Sequence, residues 1–181
     1  IVILGRQQLF TESTITVVLP VLKNFTRDNL WRMARLWAIV LVANLAGTLF
    51  AALFCSFSPV LPDDLYDGML DISRHLLEAD WWTMFFHGIT SGFLMAAMVW
   101  MIPAAEMQKF YVITIMTWLI AIGGFTHIVA GSLEAFFVVI AGDWGWWAML
   151  WQFMAPVLIG NVIGGTALFA VLSYAQVMEE I

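Results

Sequence analysis

Charged residues are scarce in this chain, and the scarcity excludes most soluble folds. Only 11% of its 181 residues are Asp, Glu, Lys or Arg, where a soluble domain carries about 25%. Cysteine is nearly absent. Cys55 stands alone inside an apolar run, so neither a disulfide framework nor a thiolate metal cluster can be built, and a buried inert thiol is the plain reading. The three histidines, His75, His87 and His127, lie too far apart along the chain to argue a metal site. A glycine-rich phosphate loop and a Ser–His dyad in a convincing context are both missing, as is anything resembling a signal peptide. No metal or other cofactor is expected, and no enzymatic activity.

What is present is apolar. Hydrophobic residues make up 62% of the chain, with ten Trp and fourteen Phe, and mean hydropathy is +0.91. Four stretches are long enough to cross a bilayer, which takes about 20 apolar residues. Leu36–Phe57 holds one strongly polar residue, Asn44; Thr83–Ala105 is interrupted by His87; Phe110–Gly142 carries His127 and Glu134; Trp144–Ala175 carries Gln152 and Asn161. A fifth, Ser13–Leu22, has only ten residues, about 15 Å of helix and half a membrane. The third has the opposite problem: 33 residues would run about 50 Å as one helix. Gly123-Gly124 and Gly131-Ser132 lie in its middle. A break near 123–131 is therefore expected, with half-helices on either side, and Ser13–Leu22 as the matching half-helix earlier in the chain. Residues 1–4 read as the tail of a helix that begins upstream of Ile1.

Loop charge sets the expected orientation. Lys23, Arg27, Arg32 and Arg35 cluster in one connection, whereas 58–82 holds six acids against Arg74. The positive-inside rule puts 23–35 in the cytoplasm, 58–82 outside, 103–109 inside, 141–146 outside and the C-terminus inside. Trp81, Trp82, Trp144, Trp146 and Trp147 then fall at outer ends, as an aromatic belt requires. Leu65, Met69, Ile72 and Leu76 recur at helical spacing within 58–82. That segment is either a short amphipathic helix on the outer surface or a solvated loop. The basic cluster is too small for nucleic acid and suits lipid headgroups.

One polar phrase occurs twice. Leu9-Phe10-Thr11-Glu12 is followed, 33 residues after Thr11, by Asn44 and a helix of small residues. Gly124-Phe125-Thr126-His127 is followed, 35 residues after Thr126, by Asn161 and a similar helix. Duplicated halves with interrupted segments mark transport folds whose site lies at the repeat interface. The chain divides as one transmembrane unit over 1–181: 1–57 as the remainder of the first repeat, 58–82 as an extracytoplasmic loop, and 83–181 as the second repeat.

His127 is the foremost candidate, an ionisable residue at mid-membrane depth beside a predicted break, weighed against a neutral histidine bonded to a neighbouring helix. Glu12 and Glu134 are candidate proton sites, but carboxylates that bond freed amides or cap a half-helix are the preferred reading. Thr11 and Thr126 either face a pore or repair the backbone near a break. Leu9, Phe10 and Phe125 are candidate hydrophobic gates, against ordinary core packing. Asn44, Asn161, Gly123, Gly124, Gly131 and Glu134 are assigned to the breaks. His87 reads as a helix histidine near the outer interface. Ala43/Gly47, Gly88/Gly92 and Gly160/Gly164 are small-residue pairs that let helices approach closely.

The phrases at 9–11, 124–127 and 159–165, with their order, spacing and loop charges, resemble the formate/nitrite transporter family across essentially the whole chain. That resemblance implies an all-α, aquaporin-like bundle of inverted repeats with two broken helices. The first helix and half of the second would precede Ile1. It implies a homo-pentamer with one pore per subunit, in a bacterial inner membrane. It implies passage of small monovalent anions such as formate or nitrite, often coupled to protons. Thr11 and His127 would meet at mid-pore, with Leu9 and Phe10 at constrictions. The family usually has Glu where Thr126 stands, Asn where Gly131 and Gly92 stand, and a vestibule Lys where Leu76 stands, with Arg74 two residues away. This marks a divergent member. A homologue that has lost transport, and less favourably an intramembrane enzyme or redox subunit pairing His127 with His87 or Glu134, are the alternatives.

Overall fold

Local sequence signals decide where each helix starts and stops. The structure is a computed structural model that describes Gly5 and residues 7–177. Residues 1–4, expected as the end of an upstream helix, lie outside the described residues, as do the last four. Among the described residues the chain is helical throughout, with no strand.

The short half-helix of the first repeat begins three residues earlier than expected. α1 spans Phe10–Thr16 and α2 spans Val18–Lys23. The interruption at Val17 follows from Pro20, which has no N–H for the Thr16 carbonyl and whose ring crowds it. α3 runs Arg27–Phe57, nine residues earlier than the apolar run begins. Its start is fixed by Thr26, whose hydroxyl accepts the Asn29 amide at 3.2 Å. Most of the expected basic loop is therefore helix, and Arg32 pairs with Asp28 one turn back at 2.7 Å. The helix stops at Ser58, the residue before Pro59.

The acidic connection is a helix. α4 spans Asp63–Ser73 and tightens into a 3-10 turn at Arg74–Leu77. The face predicted from Leu65, Met69, Ile72 and Leu76 is rotated: Leu65 and Ile72 are exposed, while Leu70, Ser73 and Leu76 are buried. Tyr66 and Phe137 lie ring against ring, 5.1 Å between centroids, so α4 is seated on the protein.

α5 spans Trp81–Met101. Asp80 caps it, accepting the Thr83 amide at 2.7 Å, a bond that holds this carboxyl below the usual carboxylate range. The expected break in the 33-residue stretch is present but narrower. α6 spans Lys109–Ile122 and α7 spans Ile128–Ile140, so the interruption is 123–127. Gly131 is inside α7, not at the break. Its missing side chain makes room for a ring, since a Cβ there would lie 2.6 Å from Phe153 Cζ. Glu134 likewise sits mid-way along α7 and belongs to no break.

α8 runs Trp146–Gln176 as one continuous span. It widens to π-helix at Leu150–Met154 and again at Ile163–Ala170. The first widening precedes Pro156, which cannot bond back to residue 152, so the chain takes up the lost hydrogen bond by loosening the turn. Arg27–Phe57, Trp81–Met101 and Trp146–Gln176 are each long and apolar enough to cross a membrane.

α5 and α8 cross with almost no side chain between them. A Cβ on Gly160 would lie 2.4 Å from the Phe85 carbonyl oxygen, one on Gly164 would lie 2.0 Å from that of Ile89, and one on Gly92 would lie 2.4 Å from that of Asn161. This is the packing that the small-residue pairs on these two helices predict. The Ala43/Gly47 pair does not act so: Gly47 is exposed and has nothing within 4 Å of where a Cβ would be. Large apolar side chains line the outside instead, Phe50, Phe54 and Phe57 on α3, and Phe110, Ile115 and Trp118 on α6.

Candidate functional site

The start of α1 and the interruption at 123–127 are each held by an asparagine from a distant helix, and in the same way. At the first, Asn44 Oδ1 accepts the amide of Phe10, the first residue of α1, at 2.9 Å. Its Nδ2 donates to the carbonyl two residues earlier, that of Gln8, at 3.1 Å. At the second, Asn161 Oδ1 accepts the amide of Ile128, the first residue of α7, at 2.9 Å. Its Nδ2 donates to the carbonyl two residues earlier, that of Thr126, at 3.2 Å. A broken helix at membrane depth must have its freed amides and carbonyls satisfied by protein, and one carboxamide satisfies one of each. This geometry corrects the register of the repeat. Leu9 and His127 both precede the first helical residue, so they are equivalent, and Thr11 does not correspond to Thr126 as the phrase alignment suggests.

Thr11 and His127 do meet. Thr11 Oγ1 and His127 Nε2 are 2.8 Å apart across the two breaks. Thr11 is fully buried and His127 nearly so. His127 is the N-cap of α7, and its Nδ1 accepts the Ala130 amide at 3.2 Å. A ring nitrogen that accepts carries no hydrogen, so in the neutral ring the hydrogen is on Nε2 and is donated to Thr11. The Thr11 hydroxyl, having accepted, keeps its own hydrogen to offer. The tautomer is thus set by the helix that His127 caps, without the glutamate expected at position 126.

Thr126 does other work. Its hydroxyl donates to the Met84 carbonyl at 3.0 Å, and its carbonyl accepts from Ser91 Oγ at 2.5 Å as well as from Asn161. The residue bolts the break to α5 and its side chain points away from Thr11. Ser91 and Thr14 escaped the sequence reading. Ser91 sits between Gly88 and Gly92, and a polar residue on the small-residue face was the available signal. Thr14 and Thr166 fix α1 to α8, the Thr166 hydroxyl donating to the Thr14 carbonyl at 2.7 Å.

The candidate gates separate. Leu9 is buried with Met95 and Met98, against Ile113, Met116 and Val129, beside the Thr11–His127 contact. Phe10 lies apart from Leu9. Its ring turns to the other side of α1 and packs edge-on against Trp37 of α3, 6.1 Å between centroids. Phe125 folds over Gly123 and meets His87 edge-on at 5.7 Å. Gly124 carries the sharpest backbone turn of the break, with φ +62°.

The departures at the other positions have steric causes. Gly131 is filled by Phe153, and Gly92 is pressed against the backbone of Asn161, so neither site has space for a carboxamide. Leu76 is buried. Arg74 is tied down: Nε lies 2.8 Å from Asp143 and Nη1 2.7 Å from Asp71. Hydrogen bonds to Asp143 first, then to Asp71, raise this guanidinium further above its ordinary value. Among the described residues no group of three or more His, Cys, Asp or Glu is arranged to hold a metal ion.

Comparison with known proteins shows the fold and the family. A solved structure described as a pentameric formate channel with formate bound superposes with a TM-score of 0.83 at 21% identity, covering 98% of this chain and 78% of that one. Inner membrane protein YfdC of Escherichia coli (strain K12) is 44% identical over 180 residues, 99% of this chain and 58% of that protein. Formate channel FocA of Haemophilus influenzae is 27% identical over 189 residues, 91% of this chain and 65% of that protein. The chain therefore spans less than two thirds of the length of these curated relatives. A model of the formate/nitrite transporter family matches residues 1–175. The chain is a helical membrane protein and belongs to the formate/nitrite transporter family.

Proposed function

We propose that this chain carries small monovalent weak-acid anions, such as formate or nitrite, across a bacterial inner membrane, through one pore per subunit of a homo-pentamer. The observation that carries the proposal is the buried Thr11–His127 hydrogen bond, made where two half-helix N-termini face each other. Helix N-termini present positive partial charge, and interrupted helices in transporters aim such ends at anionic substrates. The Thr11 hydroxyl supplies a hydrogen-bond donor at the same place. Burying a bare anion is costly, so a donor, a favourable dipole and a proton that travels with the anion each lower the barrier. Leu9 with Met95 and Met98 provides the apolar constriction that keeps bulk water from the centre.

The domain plan follows: 1–57 belongs to the first repeat, 58–82 to the extracytoplasmic connection, and 83–181 to the second repeat. The end bearing Lys23, Arg27 and Lys109 faces the cytoplasm, together with the C-terminus.

The test is anion flux into liposomes bearing the full-length protein, at pH 5 and pH 8, with formate, nitrite, acetate and chloride compared. Flux should favour the weak-acid anions and rise at pH 5. His127→Phe should lose it while still eluting as a folded oligomer. Wild-type flux in that variant would remove the imidazole from the mechanism.

A further inference from the structure

We infer that Glu12 is a charge gate for the pore. As a carboxylate it bars anions from the Thr11–His127 centre, and in its protonated form it lets them approach. The inference rests on the transport function proposed above.

Glu12 directly follows Thr11 in the first turn of α1 and is half-buried. It lines a cavity of about 750 Å³ that extends along α1 and α2, the end of α5 and the start of α6, reaching Gln8, Thr16, Trp100, Glu106 and Lys109. Thr11 itself faces the second break, and Glu12, the next residue in the chain, lines the cavity. Most of the wall between is apolar, including Ile15, Leu19, Val99 and Ile113. An apolar wall strengthens the field of a fixed charge in the passage.

The charges facing Glu12 do not cancel it. On the connection before α6, Glu106 adds a second carboxylate, and Lys109 opens α6 with the one cation lining this cavity among the described residues. Lys23 at the end of α2, and Arg27, Asp28, Arg32 and Arg35 on the first turns of α3, are exposed and do not line the cavity. From α5 the titratable residue is His87, held against Phe125 at the other end of the helix. α8 presents no titratable side chain to the cavity, and Glu134 of α7 lies on the far side of the break. With all three groups ionised the cavity carries one net negative charge, the wrong sign for a route that admits anions. Protonation of Glu12 removes that charge one residue along the chain from Thr11. An anion then approaches unopposed.

The experiment is formate flux into liposomes containing the full-length protein, over pH 5 to 8, for wild type, Glu12→Gln, Glu12→Asp and Glu106→Gln, each checked for oligomer elution. Glu12→Gln should raise flux at pH 8 by about tenfold, the size of a like-charge repulsion across partly hydrated protein, and flatten the profile. Glu12→Asp should keep the wild-type slope, and so should Glu106→Gln at the wider rim. A folded Glu12→Gln protein with the wild-type profile, or with no flux at any pH, overturns the gate while leaving wild-type transport intact. If wild-type vesicles themselves pass no anion, the transport function fails first and the gate falls with it.

Discussion

The two interruptions of this protein solve one problem with unequal means. At the first, Asn44 is half-buried and makes one bond to each side of the break. Leu9, in the cap position of α1, offers no side-chain bond to the helix. At the second, Asn161 is fully buried; its Oδ1 accepts the Ile128 amide, and its two Nδ2 hydrogens are shared among the Gly88 and Thr126 carbonyls and the Ser91 hydroxyl. His127 caps α7, and Thr126 anchors the loop to α5. The first break is lightly held and supplies a hydroxyl. The second is rigidly held and supplies an oriented imidazole. An imidazole has two ring nitrogens whose roles depend on its setting, so it needs a scaffold that a hydroxyl, free to rotate, does not.

The largest effect should come from cutting the bond that joins the breaks. Thr11→Val keeps the shape of the side chain and removes the hydroxyl. Formate flux should fall to background, while Thr11→Ser should retain most of it. The same Val variant leaves the His127 Nε2 hydrogen buried without its partner, which costs about 1–2 kcal/mol. Its thermal unfolding in detergent, followed by Trp fluorescence, should therefore move only slightly. Full flux through Thr11→Val would mean that the hydroxyl is a structural partner of the histidine and nothing more.

Much of this was readable from residues alone. The half-length of 13–22, the excess length of 110–142 and the asparagines Asn44 and Asn161 pointed to two breaks, because a bilayer fixes how long an apolar helix should be. What the sequence hid was direction. Thr126 and Phe10 stand beside pore candidates in the chain, yet their side chains leave on other sides of the backbone, toward Met84 and Trp37. Around a non-helical loop no fixed period predicts where a side chain points. The register of the repeat was hidden for the same reason: the matching threonines are alike in letter, whereas the equivalence runs through the backbone groups that the asparagines bind. The rotated face of α4 came from its mixed composition, in which Leu70 and Ser73 are buried while Leu65 and Ile72 are not.

Next in size is a comparison of the two clamps. Asn161→Leu removes a carboxamide that uses its oxygen and both amide hydrogens in a fully buried site, and it strands the Ile128 amide, while the Thr126 carbonyl keeps Ser91 Oγ. It should destabilise by about 3 kcal/mol. Asn44→Leu removes two bonds from a half-buried site and should cost about 1 kcal/mol. Partners found within the membrane by the unfolded chain reduce both figures, so the ratio is the sharper quantity. Equal losses, measured by thermal unfolding of the two variants in one detergent, would mean that the breaks are held equally and that the contrast drawn between them is false.

The smallest effect tests the backbone. Gly124 has φ +62° and nothing within 4 Å of where a Cβ would stand, so Gly124→Ala meets no clash and feels only the left-handed conformation. That should cost about 1 kcal/mol. Gly123 has an ordinary φ of −78°, and the atoms nearest its Cβ would be those of the Phe125 ring. Gly123→Ala therefore reports whether that ring can move. If Gly124→Ala is neutral and Gly123→Ala is costly, the loop is held by the packing of Phe125 against His87. If the reverse holds, the turn at Gly124 fixes the path of the chain into His127, and the rigidity of the second break begins in its backbone.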